Sequence, residues 1–191
     1  MAHKVISRQV KILIYRWEEL SDEDKFLLQR AAEVRENAIA PYSHYKVGAA
    51  ILWEKGHVSI GCNMENCIYN SLHAEKMAIG TGIVEHGLDK IMRVTVLGDP
   101  EDKVIVLPPP KLDDAEFEQI VSQIKFEDAC VCCGQCLQDV LEFSFGDPHG
   151  IVLSELIQGV VVQITLGDIL TAHFGPWHLD VDYRKFAQKF V

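Results

Sequence analysis

Two short segments of the chain carry residue types suited to chemistry: His73-Ala74-Glu75 and Cys133-Gly134-Gln135-Cys136. An imidazole and two thiolates are three good ligands for zinc, and three protein ligands leave the fourth tetrahedral position open, as in a catalytic site. Cys133 and Cys136 stand three apart at a predicted helix start, where such a pair shares one face. His73 and Glu75 are two apart and would diverge in mid-helix. At a helix start the objection weakens, because Cα–Cβ bonds tilt toward the N-terminal end and side chains there project back past it. Two helix N-termini facing one ion would also favour thiolates and the hydroxide that the ion generates. Glu75 would then take a proton from metal-activated water.

Each segment alone is a weak signal. A lone Cys-x-x-Cys is commonly a structural zinc half-site or a redox pair, and a lone His-x-Glu two unrelated surface residues. Cys130 and Cys133 are also three apart. Gly134 and the helical spacing that follows it favour Cys133 with Cys136.

The elements that must position these segments are legible around them. Ser21 followed by three acids marks a helix start, and Phe26, Leu27, Ala31, Val34 and Ala38 recur with helical spacing up to Pro41. Tyr45, Val47, Ala49, Ile51 and Trp53 alternate as a strand, and Lys55-Gly56 turns it into a second strand over Val58 to Cys62. A helix is predicted from near His73 to Gly87, with its second half weakened by Gly80 and Gly82 at ~1 kcal/mol each. Met92 to Leu97 reads as a buried strand. Residues from about Asp99 to Asp128 read as an insertion, with a stiff Pro108-Pro109-Pro110 piece and a short helix opened by an Asp113/Glu116 capping box. Helical spacing returns after Gly134. Two strands follow, Ile151 to Leu156 and Val160 to Leu166, then a short helix to Ala172. This order predicts an α/β fold, a three-layer α/β/α sandwich around a mixed sheet. Residues 1–20 read as an N-terminal extension to a single domain over 21–191.

Composition removes several function classes. The chain has 191 residues, 48% of them hydrophobic, and no apolar run long enough to span a bilayer, so no membrane partner is expected. Its net charge of −10, from 18 basic and 28 acidic residues, argues against a nucleic-acid polymer as partner. Four of the six cysteines crowd into residues 130–136, which points to metal binding in a reducing, cytoplasmic compartment. Cys62 and Cys67 read as small buried hydrophobes. Before Glu18 the charged residues are all basic, a faint likeness to a mitochondrial presequence.

Together, His-x-Glu and Cys-x-x-Cys match the signature of zinc-dependent nucleobase deaminases. The chain also resembles the cytidine deaminase family over roughly Leu27 to Leu179. Ala40-Pro41-Tyr42-Ser43-His44-Tyr45-Lys46-Val47-Gly48-Ala49-Ala50 is similar to its opening signature. Gly61-Cys62-Asn63-Met64-Glu65-Asn66 with Tyr69 resembles its ribose-binding loop, and Gly167-Asp168-Ile169-Leu170 with Phe174-Gly175-Pro176 its C-terminal pattern. The resemblance implies hydrolysis of cytidine or deoxycytidine to uridine or deoxyuridine and ammonia. It implies Zn2+ held by His73, Cys133 and Cys136, with Glu75 shuttling protons. Asn63 and Glu65 would hold the ribose, Tyr45 would lie against the base, and the Ala74 and Cys132 backbones would contact the pyrimidine. Phe174 would reach a neighbouring subunit's pocket, because many members are homotetramers; a homo-oligomer is expected, a tetramer before a dimer. A carboxylate at Glu65 suits hydroxyls and would repel a phosphate, which favours a nucleoside.

The chain departs from the family pattern at the metal. Many members have cysteine where His73 stands, and arginine where Lys76 and Leu137 stand. Zinc with two thiolates and one imidazole is neutral, which lowers the need for a nearby cation. Cys132 replaces a proline. Two other functions stay open: a nucleic-acid-editing deaminase, and a zinc-binding pseudoenzyme.

Overall fold

The structure is a computed structural model and describes residues 7, 9–68, 70–125, 132–155, 159–170 and 175–188. Its strands are β1 (Ile12–Tyr15), β2 (Tyr45–Trp53), β3 (Val58–Cys62), β4 (Ile91–Pro100), β5 (Ile151–Glu155) and β6 (Val161–Thr165). The longer helices are α1 (Asp22–Arg35), α2 (Ala74–His86), α3 (Asp114–Gln123) and α4 (Gly134–Phe143), followed by the short α5 (Leu166–Ile169) and α6 (Tyr183–Ala187). The strands form one mixed sheet in the order β1-β6-β5-β4-β2-β3. Only β4 and β5 pair in parallel; the other neighbours are antiparallel. Since β3 and β4 both oppose β2, and β5 follows β4, the carboxyl ends of β3, β4 and β5 lie at one end of the sheet. That end is where α/β sheets place their ligands.

The period-2 alternation of the strands sorts the core into two faces. Ala49, Ile51, Trp53, Val94 and Val96 pack with Ala74, Ala78 and Ile79 of α2 and with Cys136, Leu137, Val140 and Leu141 of α4. Their neighbours Ala50 and Leu97 face the other way, onto Leu27, Leu28 and Ala31 of α1. Helices therefore cover both faces, and the sandwich has the three expected layers. Ser21 caps α1 by accepting a hydrogen bond from the amide of Asp24.

The second half of α2 is stronger than its glycines suggest, and the helix runs unbroken to His86. A Cβ on Gly82 would come within 2.6 Å of Trp53 Cε2 and 2.8 Å of Ser59 Oγ. Trp53 is fully buried and donates its indole N–H to Ser59 at 2.8 Å. The helix gives up propensity at Gly82 so that the largest side chain of the core can lie against its backbone. Gly80 faces open space.

The residues ahead of α1 supply a strand. Ile12 to Tyr15 pair with Ile164 to Val161 and add β1 beyond β6. The segment that follows β4 meets that edge from both faces. Ile105 and Leu107 pack on the α1 side with Tyr15 and Trp17. Leu112, Phe117, Ile120 and Ile124 pack on the opposite side, against Ile12, Ile14, Val160 and Val162. Between them the chain crosses the turn before β6, where a Cβ on Gly159 would lie 2.5 Å from Pro109 Cβ. Arg16 holds the two parts together: its guanidinium sits 4.1 Å over the Phe117 ring and pairs with Asp114 at 2.8 Å. The Asp113/Glu116 capping box of α3 is formed.

Candidate metal centre

His73 is the N-cap of α2 and Cys133 the N-cap of α4. Oxygen-bearing side chains normally take such positions, and their loss costs about 1 kcal/mol. Here neither side chain caps its helix. They turn toward each other instead: His73 Nδ1 lies 3.5 Å from Cys133 Sγ and 3.3 Å from Cys136 Sγ. The three ligand atoms all fall within 4.8 Å of one another. Tetrahedral zinc with ordinary Zn–N and Zn–S bonds would separate nitrogen from sulfur by ~3.6 Å, so the donor set fits zinc in type, number and spacing. Cys136 is buried, His73 half-buried and Cys133 exposed, so the cluster opens on the Cys133 side.

Glu75 follows two residues after His73 in the first turn of α2 and is only 4% exposed. The thiols of Cys132 and Cys136 lie close enough to its carboxylate to feel its charge. Burial first, and the Glu75 charge second, push both thiols above their ordinary range. A divalent cation offsets both effects for Cys136, because the thiolate is the ligating form. Lys76 pairs with Asp139 at 3.2 Å and ties the first turn of α2 to the middle of α4.

A second group of predicted site residues gathers beside the first. Asn63 follows β3; its side-chain oxygen accepts from the Val47 amide at 2.8 Å, and its NH2 donates to the Tyr45 carbonyl at 2.9 Å. Glu65 accepts from the amides of Tyr42 and Ser43 at 2.9 and 3.1 Å. The Ser43 hydroxyl and these amides hold the Glu65 carboxyl below its usual range. Tyr45 opens β2 and is 37% exposed. Met64, between Asn63 and Glu65, bridges Leu72, the residue before His73. The loop is thus one residue step from the metal ligands. Asn63 and Glu65 brace the 40–47 segment. Ala74 is fully buried at the head of α2. Phe174, Tyr69 and Cys130 lie outside the described residues.

Residues 21–148 match the family model for the cytidine and deoxycytidylate deaminase zinc-binding region. The chain belongs to this family. Among curated members, the cytidine deaminase of Sporosarcina psychrophila is 33% identical over 148 residues, covering 78% of this chain and 88% of its own. That of Halalkalibacterium halodurans is 29% identical over 151 residues, covering 78% and 92%. In structure, the Burkholderia pseudomallei cytidine deaminase superposes with a TM-score of 0.57 at 27% identity, over 81% of this chain and 100% of that one. The Mycobacterium tuberculosis cytidine deaminase, at 24% identity and a TM-score of 0.53, shares the fold.

Within the family framework, two features escape sequence reasoning. The sequence points to Cys132 for its backbone, whereas the structure buries its side chain in the core on the metal side. The excess of cysteines over ligands in residues 130–136 was the available signal. His44 Nδ1 lies 2.8 Å from Glu101 Oε1, at the start of the insertion; nothing in the spacing of those residues announces it. Cys67 is exposed rather than buried; the Asn66 side chain beside it accepts from the amides of Ile68 and Asn70 and holds the loop out in a turn of its own.

Proposed function

We propose that this protein hydrolyses cytidine and deoxycytidine to uridine and deoxyuridine, releasing ammonia. The observation that carries this reading is the convergence of two helix heads, with His73, Cys133 and Cys136 within ligand distance and the buried Glu75 beside them. Zinc, when held by those three residues, supplies the Lewis acidity that makes water a nucleophile near neutral pH. Glu75 would take the two protons of the attacking water in turn, passing the first to the base ring nitrogen and the second to the departing amino group. Both protons of the consumed water are then accounted for, one in the uracil ring and one in ammonia. Burial keeps this carboxylate away from competing solvent. Asn63 and Glu65 receive the ribose hydroxyls, and Tyr45 lies against the base. The fixed negative charge of Glu65 supports a nucleoside over its 5′-phosphate. The Ala74 and Cys132 backbones meet the pyrimidine, and Phe174 acts across a subunit interface of a homotetramer. The reaction places the enzyme in pyrimidine salvage in the cytoplasm.

The test is ammonia release from cytidine, deoxycytidine and deoxycytidine monophosphate by zinc-loaded protein, with Glu75→Gln in parallel. Turnover of the nucleosides that vanishes in Glu75→Gln, with zinc still bound, is expected. A folded, zinc-bound wild type that turns over none of them refutes the reading. Turnover of the monophosphate alone refutes the role given to Glu65.

A further inference from the structure

The carboxyl end of β4 is fixed from inside the core. Arg35, the last residue of α1, is fully buried, and its guanidinium donates to the carbonyls of Asp99 and Pro100 at 3.0 and 2.7 Å. Pro100 pairs with Tyr45, the first residue of β2. One position beyond that pair, the Glu101 amide donates to the His44 carbonyl at 2.8 Å, and Glu101 Oε1 lies 2.8 Å from His44 Nδ1. Glu101 thus grips His44 at both backbone and side chain. The φ of His44 is 56°, left-handed backbone that a residue with a Cβ seldom adopts unless its surroundings impose it. The residues just before it hold Glu65: the amides of Tyr42 and Ser43 donate to its carboxylate at 2.9 and 3.1 Å. Ser43 Oγ accepts in turn from the Tyr45 amide at 3.1 Å. A continuous line of contacts therefore runs from the buried Arg35, through Glu101 and His44, to the Glu65 carboxylate.

We propose that Glu101 is a positioning residue for the sugar end of the substrate: by clamping His44 it keeps the Tyr42 and Ser43 amides on Glu65 and aims the carboxylate that receives the ribose hydroxyls. This rests on the deaminase reading above and on the role given there to Glu65. An isolated exposed ion pair contributes little, and both of these side chains are exposed. Here the pair is reinforced by the backbone bond between the same two residues, and it stands on a strand end that Arg35 holds rigid. Glu101 acts on the substrate through Glu65, so its loss weakens ground state and transition state alike; KM rises and kcat holds. A nucleoside without the 2′ and 3′ hydroxyls offers Glu65 nothing to receive, so its affinity is insensitive to Glu101.

The experiment has a kinetic and a spectroscopic arm, both on the zinc-loaded full chain. Glu101→Ala is expected to raise KM for cytidine about fivefold with kcat unchanged, the upper end for an exposed pair. Glu101→Gln, whose side-chain oxygen still accepts from the imidazole, is expected to stay within about twofold of wild type. For 2′,3′-dideoxycytidine, KM (or the inhibition constant against cytidine, if it binds without turnover) should be the same in wild type and Glu101→Ala. An equal rise for both nucleosides, a fall in kcat in place of the rise in KM, or no change with cytidine overturns the proposal. The second arm needs no turnover. The amide protons of Tyr42 and Ser43, held downfield by the carboxylate, are expected to move upfield in the nuclear magnetic resonance spectrum of Glu101→Ala and to keep their positions in Glu101→Gln. Amides that stay put in Glu101→Ala overturn the proposal. If they move but the wild type deaminates no nucleoside, the deaminase reading falls and takes the sugar role with it, while the clamp on Glu65 stands. Turnover with unmoved amides removes the clamp and leaves the reading.

Discussion

Gly80 and Gly82 sit two residues apart in the helix that carries His73 and Glu75, and replacing each by alanine should change stability in opposite directions. At Gly80 an added Cβ meets nothing within 4 Å, so the helix simply gains ~1 kcal/mol of propensity. With ~2–4 °C per kcal/mol for a chain of this size, the midpoint should rise by about that much. At Gly82 the same gain is opposed by two losses. The Trp53 ring atom at 2.6 Å must retreat inside a closed core, an overpacking cost of ~1–3 kcal/mol. Ser59 Oγ, at 2.8 Å from the new atom, is also the acceptor for the Trp53 indole N–H, and disturbing that bond costs about 1 kcal/mol. The balance is a net loss of ~2 kcal/mol, or a fall of about 4–8 °C. Thermal unfolding followed by far-ultraviolet circular dichroism measures both, at fixed protein and zinc concentrations because bound ligand shifts the midpoint. A Gly82→Ala protein as stable as Gly80→Ala would refute the packing of Trp53 against the α2 backbone.

Two further outcomes follow from the site and the core. Cys136→Ser should weaken zinc binding by more than about 100-fold, since even outer-shell partners of a metal ligand are worth ~10–100-fold; competition against a chromophoric chelator measures this, and the exposed Cys67→Ser is the control, with affinity unchanged. Burial works against ionisation of Asp147, but the bond from Lys90, at 2.6 Å, and the His149 amide outweigh it and hold its carboxyl below the ordinary range. A depressed folded pKa gives stability that is present above the unfolded value of ~3.9 and is lost as pH falls through the folded one. Asp147→Asn should therefore flatten the decline in stability below about pH 4. At neutral pH it should cost ~1 kcal/mol, a figure discounted because solvent reaches 33% of the Asp147 side chain. Urea unfolding across a pH series checks this, and an unchanged acid slope would count against the pair.

The residues that do chemistry were legible because their types are rare and their spacing follows from helix geometry. His73 and Cys133 could be placed at helix starts before any coordinates, and the structure makes both of them N-caps. The alternation over Tyr45 to Trp53 announced β2, and the capping box announced α3. Long-range facts were less visible. Nothing local tells that Ile12 to Tyr15 pair with β6, because four residues of an edge strand carry too little pattern. Gly82 looked like a weakness because propensity is a local quantity, whereas its cause, Trp53, lies on another element. The capping box announces α3, but the apolar stripe of that helix does not name the surface it will meet. Sequence also showed too many cysteines near the metal without showing which way the extra thiol turned.

The pairing of β1 with β6 has a consequence for how the protein is made. Ile12 lies opposite Ile164, so β1 waits for β6, the last of the six described strands. Such distant pairing closes a long loop before it is rewarded, and it slows folding. The apolar stripe of α3 waits as well, since Phe117 and Ile120 pack on the same β1–β6 edge. Until residues 160–165 have emerged, both surfaces stay open on the nascent chain, a state exposed to misassociation. A chain cut short before β6 would leave the two uncovered together, so a C-terminal truncation should aggregate far more readily than its lost core area alone suggests.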